Sequence, residues 1–272
     1  MMQLRTFPSQ VEQLARQWRG EVLTSLAWAQ VGEVVPGSES EPFFVRSTAG
    51  DAGLAKPGTV EPPVHRLPRA AHEKIAADLA FELGLPVPPV ILWERPSTGS
   101  KQQRYASISA RAFPRANVWA AIPPVLAARL LPRLSAVASA MAVFDTWVAN
   151  SDRQNDGNLL LSEDDSISPP VLRVAYIDFA NSLAYRWERG ERYWKVEEPV
   201  ACYPDGVPPD LTVMTEAIRE IERLPAGTLG EIVNRIPGGF LSESHRAVIM
   251  EGLLYRQSTI RKMMASVYPG IP

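Results

Sequence analysis

Asn150-Ser151-Asp152-Arg153-Gln154-Asn155-Asp156-Gly157-Asn158-Leu159-Leu160-Leu161 is a polar run that breaks straight into an apolar one, and further on the chain reads Tyr176-Ile177-Asp178-Phe179. Leu159-Leu160-Leu161 and the run 171–177 flank the acidic turn region Glu163-Asp164-Asp165, a pattern that predicts a β-hairpin. A carboxylate in the loop before the first strand, an amide just ahead of that strand and a second carboxylate after the return strand can converge on one point. Polar loops are common and usually only solvated. This one differs because Asp178 ends the apolar run Val174-Ala175-Tyr176-Ile177, where a charge beside a buried strand is costly unless a partner or a metal offsets it.

Working outward from that hairpin, the pattern before it is helical. Leu134, Val137, Met141, Phe144 and Val148 recur at three- and four-residue intervals and mark one apolar face of a long helix ending at the polar run. After it, helices are predicted at about 213–224, 228–235 and 242–264, each edged by Pro or Gly. The first part of the chain reads differently. Val11, Leu14 and Trp18 predict a short amphipathic helix over 7–18; strands are expected at 26–35, 43–48 and 52–56, the last two joined by Ala49-Gly50-Asp51. A Pro-rich connection, 57–68, leads to helix formers at 70–83 stopped by Gly84, and strands follow at 90–93 and 104–110. The expectation is an α+β chain of two lobes, a strand-rich one over 1–111 and a mostly helical one over 112–272.

Composition narrows the function. The 272 residues carry 28 Lys+Arg against 30 Asp+Glu, a formal net charge of −2, which gives no global electrostatic reason to bind nucleic acid or anionic membrane. One cysteine, Cys202, excludes an internal disulfide and a multi-cysteine zinc site, and fits a reducing compartment; cytoplasm is the expected location. No stretch reads as the roughly 20 apolar residues of a membrane helix. His65, His72 and His245 are dispersed, so a histidine metal site or a Ser/His/Asp hydrolase has little support, and each reads as an ordinary surface or helix histidine.

Phosphoryl transfer needs the kind of set the hairpin assembles: a base to orient the attacking hydroxyl, and hard oxygen ligands to hold Mg²⁺ against nucleotide phosphates. On Asp152-Arg153 with Asn158 before the leucines, and on Ile177-Asp178-Phe179, the chain resembles the protein-kinase-like superfamily, and within it the HipA-like kinases and their phosphatidylinositol-kinase relatives. The resemblance implies Asp152 as the catalytic carboxylate, Asn158 as a metal-binding amide beside it and Asp178 as the principal Mg²⁺ ligand. Five residues separate Asp152 from Asn158 where four are usual, and Asn155 is the alternative amide; Asn158 is preferred because it abuts the strand. Gln154 stands where lipid-kinase relatives commonly have His.

Upstream, kinases place a Lys on the third strand against the α/β-phosphates and a helical Glu to position it. Lys56, in Gly53-Leu54-Ala55-Lys56-Pro57, and Glu73, early in the following helix, stand in that order, as in HipA-like proteins with a strand ending Lys-Pro. Taken singly, each reads as an ordinary strand-end cation and first-turn carboxylate. Arg46 is the rival cation, ranked second because a guanidinium is a rigid fork rather than a compact point charge. The turn 46–51 is the expected phosphate cover, with backbone N–H groups and the hydroxyls of Ser47 and Thr48 as donors; 105–110 would face adenine by position.

The reading is an ATP- and Mg²⁺-dependent kinase acting on a hydroxyl. By analogy with HipA-like proteins the acceptor is a protein Ser or Thr, the chain's own included. A lipid or small-molecule kinase and an inactive nucleotide-binding module are the rivals, and a separately encoded partner protein is left open.

Overall fold

In the computed structural model, residues 4–35, 41–58, 68–95, 105–150, 152–164, 171–183 and 198–272 are described. Residues 59–67 of the connection predicted at 57–68, His65 among them, lie outside these, as do residues 96–104 and Asp165.

Helix α1 (Ser9–Gly20) turns Val11, Leu14, Ala15 and Trp18 inward, as their helical spacing requires. Leu14 and Trp18 meet one face of an antiparallel sheet of five strands, β1 (Trp28–Val34), β2 (Phe43–Ser47), β3 (Ala52–Gly58), β4 (Val90–Glu94) and β5 (Tyr105–Ala110), in the order β1-β2-β3-β5-β4, while Val11 packs with Phe7, Phe113 and Ala175. Alternation along β2 decides the faces: Phe43, Val45 and Ser47 are buried and Phe44 and Arg46 exposed. Trp18 and Trp28 pack edge to face at 6.1 Å, with Ala55, Ile91 and Ile108 in the same cluster.

The other sheet face receives helix α2 (Arg69–Glu82), whose buried Ala70, Ala71 and Ile75 join Val90 and Leu92 in the main core. Its small alanines let it lie close to both the sheet and the helices beyond. Gly84 ends it at φ 68°, a left-handed position that glycine adopts without a Cβ penalty.

After β5 come β6 (Asn117–Val118) and α3 (Pro124–Trp147), then the hairpin β7 (Leu159–Asp164) and β8 (Val171–Tyr176). β6 adds a third strand to that hairpin through Asn117 opposite Leu161 and Val118 opposite Leu160; two residues are too short for a periodic signal. Helices α4 (Leu211–Arg223), α5 (Ala226–Asn234) and α6 (Glu243–Ala265) complete the second lobe. Asp210 caps α4 by accepting from the N–H groups of Thr212 and Val213 at 3.0 and 3.1 Å.

α3 begins ten residues before the expected apolar face, because Pro124 suits a first turn and the early turns, with Val125 and Leu126 exposed, do not need burial to continue. By length and composition alone it passes as long and apolar enough to cross a membrane, a test that a buried core helix also passes. Its second half, from Leu134 to Trp147, is instead buried in the core against Met214, Ile249 and Leu253. The two-lobed α+β architecture is the one expected.

Candidate active site

Lys56 sits late in β3, opposite Ser107 of β5, on the sheet face that meets α2. Its ammonium lies 2.8 Å from Glu73 Oε1 of α2 and 3.0 Å from Asp178 Oδ1 beyond β8. Burial works against the lysine's charge, but the two carboxylates overcome it and hold its pKa above the ordinary value. Asp178 is pushed up by burial and brought below the usual carboxylate range by Lys56, with a backbone N–H bond from Ala180 assisting. Glu73 goes the other way: burial raises it, more than Lys56 lowers it, and Asp178 adds to the rise. Its second oxygen accepts from the Phe179 N–H at 3.2 Å, so one side chain binds the lysine and the loop carrying Asp178.

Asp178 itself has φ 64°, an uncommon left-handed backbone for a residue with a side chain. Bonds on either side of it hold that conformation. Ile177 N–H donates to Asn158 O at 3.0 Å, Ser182 Oγ to Phe179 O at 2.7 Å, and Leu183 N–H to Val148 O at 2.7 Å. His72 of α2 lies with Nδ1 3.2 Å from Ala180 O; a carbonyl can only accept, so Nδ1 carries the proton. Burial pushes the His72 pKa down to about 3.

Asn158 is buried at the foot of β7 and donates Nδ2 to Asp152 O at 3.0 Å. A carbonyl partner fixes the amide's orientation, leaving Oδ1 as a hard oxygen with no hydrogen-bond partner among the described residues. Asn155 is exposed and its Oδ1 accepts from Gly157 N–H at 3.0 Å, so that oxygen is used within the turn. Asp152 is half-buried, and its Oδ2 accepts from Asn181 Nδ2 at 3.1 Å. Lys56, Glu73 and Asp178 are thus in direct contact, and Asp152 and Asn158 are tied to the loop carrying Asp178 through Asn181 and Ile177.

Beneath them lies Arg153, 1% exposed. It donates Nε and Nη2 to the two oxygens of Asp145 at 2.7 and 3.1 Å, and Nη1 to Ile177 O at 2.8 Å and Asn158 O at 3.3 Å. The guanidinium also lies over the Phe179 ring, 4.7 Å from its centroid. One buried cation therefore ties α3, the Asp152 loop and the Asp178 loop together.

Two of the residues read from the sequence are not brought to this cluster. Ser47 and Thr48 stand at the β2–β3 turn, and the chain needs the five steps from Asp51 to Lys56, about 17 Å of strand, to reach the lysine. Ser47 Oγ donates to Asp51 Oδ2 at 3.1 Å and accepts from the N–H groups of Ala49 and Asp51 at 3.2 and 3.0 Å, so the hydroxyl is used in closing the turn. Thr48 is exposed. The phosphate-covering role expected of this turn is therefore corrected. The connection that closes beside the Lys56 end is β1–β2, where Val35 N–H donates to Pro42 O at 2.7 Å; residues 36–40 of it lie outside the described residues. Arg46 shares the Lys56 face but pairs with Ala52, nearer the far end.

Asp145, Arg153, His72 and Asn181 were not read as site residues from the sequence. Asp145 carried a signal: it is an acid inside an apolar helix, which predicts a buried partner. Asn181 carried none.

No known protein family and no curated protein matches the sequence. Among solved structures the chain is similar to the proinflammatory kinase CtkA of Helicobacter pylori, at 14% identity over 90% of this chain and 98% of that one, with a TM-score of 0.60. It is also similar to a Golgi casein kinase, at 10% identity over 98% of this chain and 78% of that one, with a TM-score of 0.50. The fold is protein-kinase-like.

Proposed function

We propose that this chain is a phosphotransferase that uses ATP and Mg²⁺ to phosphorylate a hydroxyl, of HipA-like type, with a protein Ser or Thr as acceptor and its own among the candidates. The observation that carries the reading is Lys56 held between Glu73 and Asp178 at 2.8 and 3.0 Å, with Asn158 bonded to Asp152 O and, through its own carbonyl, to the N–H of Ile177 next to Asp178. A simple ion pair would need one carboxylate; the second, left partly exposed, is what a phosphate-bound cation requires.

The donor set fits Mg²⁺, which takes one or two protein oxygens and fills its shell with phosphates and water. Asp178 and Oδ1 of Asn158 would hold it. When bound, it neutralises charge on the transferring phosphates. Lys56 contributes a fixed positive charge to the α/β-phosphates, and Glu73 keeps it from swinging to solvent. Asp152 orients the acceptor hydroxyl. The acceptor oxygen bonds to the γ-phosphorus as the bond from that phosphorus to the β–γ bridging oxygen breaks, the hydroxyl proton passes to the Asp152 carboxylate, and ADP leaves.

Incubation of the purified chain with radiolabelled ATP and Mg²⁺ tests this. Self-labelling or ADP formation that Asp152→Ala abolishes is the expected result. Nucleotide binding with neither activity would make the chain an inactive nucleotide-binding module.

A further inference from the structure

The carboxylate assigned to the acceptor hydroxyl needs a fixed orientation, and Gln154, at the position where a histidine is common in lipid-kinase relatives, is exposed. The side chain that does touch Asp152 comes from the other loop. Asn181, three residues past Asp178, donates Nδ2 to Asp152 Oδ2 at 3.1 Å. Asn181 Oδ1 is buried and has no hydrogen-bond partner among the described residues. Turning the amide over would not relieve this: it would set Oδ1 against the carboxylate, lone pair to lone pair, and bury the two donors in its place.

We propose that Asn181 is a positioning residue for Asp152, holding one carboxylate oxygen so that the other is presented to the acceptor hydroxyl; the inference rests on the phosphotransferase reading above. An amide suits the task because it donates without carrying charge. A lysine or arginine in its place would compete with Lys56 for Asp178 and pull the carboxylate towards a salt bridge. The backbone holding Asn181 is itself fixed on both sides, by His72 on Ala180 O at 3.2 Å and by Ser182 Oγ on Phe179 O at 2.7 Å. Asn181 therefore couples the loop that would hold metal to the loop that would direct the acceptor. Orientation of this kind acts on the chemical step more than on nucleotide binding.

Three variants read it: Asn181→Ala, Asn181→Leu of nearly the same volume, and Asn181→Asp of nearly the same shape. ATP turnover and self-labelling give kcat and the KM for ATP, and binding of ADP with Mg²⁺ is measured separately. The expected result for Ala and Leu is a kcat lower by about 10- to 100-fold with KM and Mg²⁺–ADP affinity within about twofold of the unmodified protein. Asp should be worse than Ala, because it sets a second negative charge against Asp152, whereas a packing role would make the isosteric Asp the mildest of the three. Wild-type kcat in the Leu variant, losses of kcat matched by equal losses of Mg²⁺–ADP affinity, or an Asp variant better than Ala would each overturn the proposal. An unmodified protein that neither binds Mg²⁺–ADP nor turns over ATP would overturn the phosphotransferase reading, and this inference with it, before any variant is made.

Discussion

Asp145 grips Arg153 through both carboxylate oxygens, at 2.7 and 3.1 Å, with each side chain 1% exposed. A pair so buried stabilises little relative to a well-packed apolar substitute, but removing one partner leaves an uncompensated charge. Asp145→Asn is expected to cost about 3–5 kcal/mol in urea unfolding. The guanidinium would keep its bonds to Ile177 O and Asn158 O, so the folded fraction should retain Mg²⁺-dependent nucleotide binding. A loss below about 1 kcal/mol would show that the pair is not desolvated as described.

The cluster around Lys56 makes separable demands. Asp178→Asn removes a carboxylate from both the lysine and the metal position, whereas Asp152→Asn touches neither. Mg²⁺-dependent binding of ADP should therefore weaken by about tenfold or more in Asp178→Asn and stay near the unmodified value in Asp152→Asn, with turnover lost in both. Equal binding losses would contradict the division of roles. Lys56→Met should raise the KM for ATP and lower turnover; unchanged turnover would remove Lys56 from the phosphate-binding role.

His72 gives the fold a pH dependence with a definite sign. Its pKa is lowered from 6.5 to about 3, chiefly by burial, with the neighbouring His245 and Arg69 opposing a further positive charge. Between those values the unfolded chain binds the proton and the folded chain does not. Stability from this group is therefore whole above pH 6.5 and falls as pH drops below it, by about 1.4 kcal/mol per unit. His72→Asn keeps a donor for Ala180 O without the titration. Its unfolding free energy should fall less steeply on acidification, and an unchanged slope would mean that His72 protonates freely in the folded state.

Much of this was legible in the residues. The β-branched and aromatic residues of β2, the helix formers of α2 stopped by Gly84, and the polar run feeding Leu159-Leu160-Leu161 each marked an element, and the order of Lys56, Glu73, Asp152 and Asp178 followed. The phosphate cover was misplaced although strand length alone argued against it: a turn before β3 cannot lie beside a lysine near that strand's other end. Arg153 was visible only as part of a motif, since what it does depends on Asp145, Asn158 and Ile177 meeting in space. Asn181 had no pattern to betray it, because a single amide in a loop acquires meaning only from the carboxylate it faces.

Carboxylates hold helix α2 at Glu73 and at Asp78, and the two should respond differently to substitution. At Glu73 it meets Lys56, which keeps Asp178 if the glutamate is lost. At Asp78 it has two cations on one carboxylate: Lys74 Nζ at 2.9 Å, which also donates to Trp18 O at 2.7 Å, and Arg235 Nη2 at 2.6 Å. Lys74 is completely buried, and burial pushes its pKa below the ordinary value against the pull of Asp78. Asp78→Asn would leave both cations facing a neutral amide, at a cost of about 3 kcal/mol or more. Glu73→Gln retains a hydrogen-bonding oxygen for Lys56, so it should disturb ATP use more than stability. The measurement is urea unfolding beside amide exchange across α2. Faster exchange and a lower midpoint are expected in Asp78→Asn, with a smaller change in Glu73→Gln. The reverse order would place the anchor of α2 at the lysine rather than at the buried Asp78 cluster.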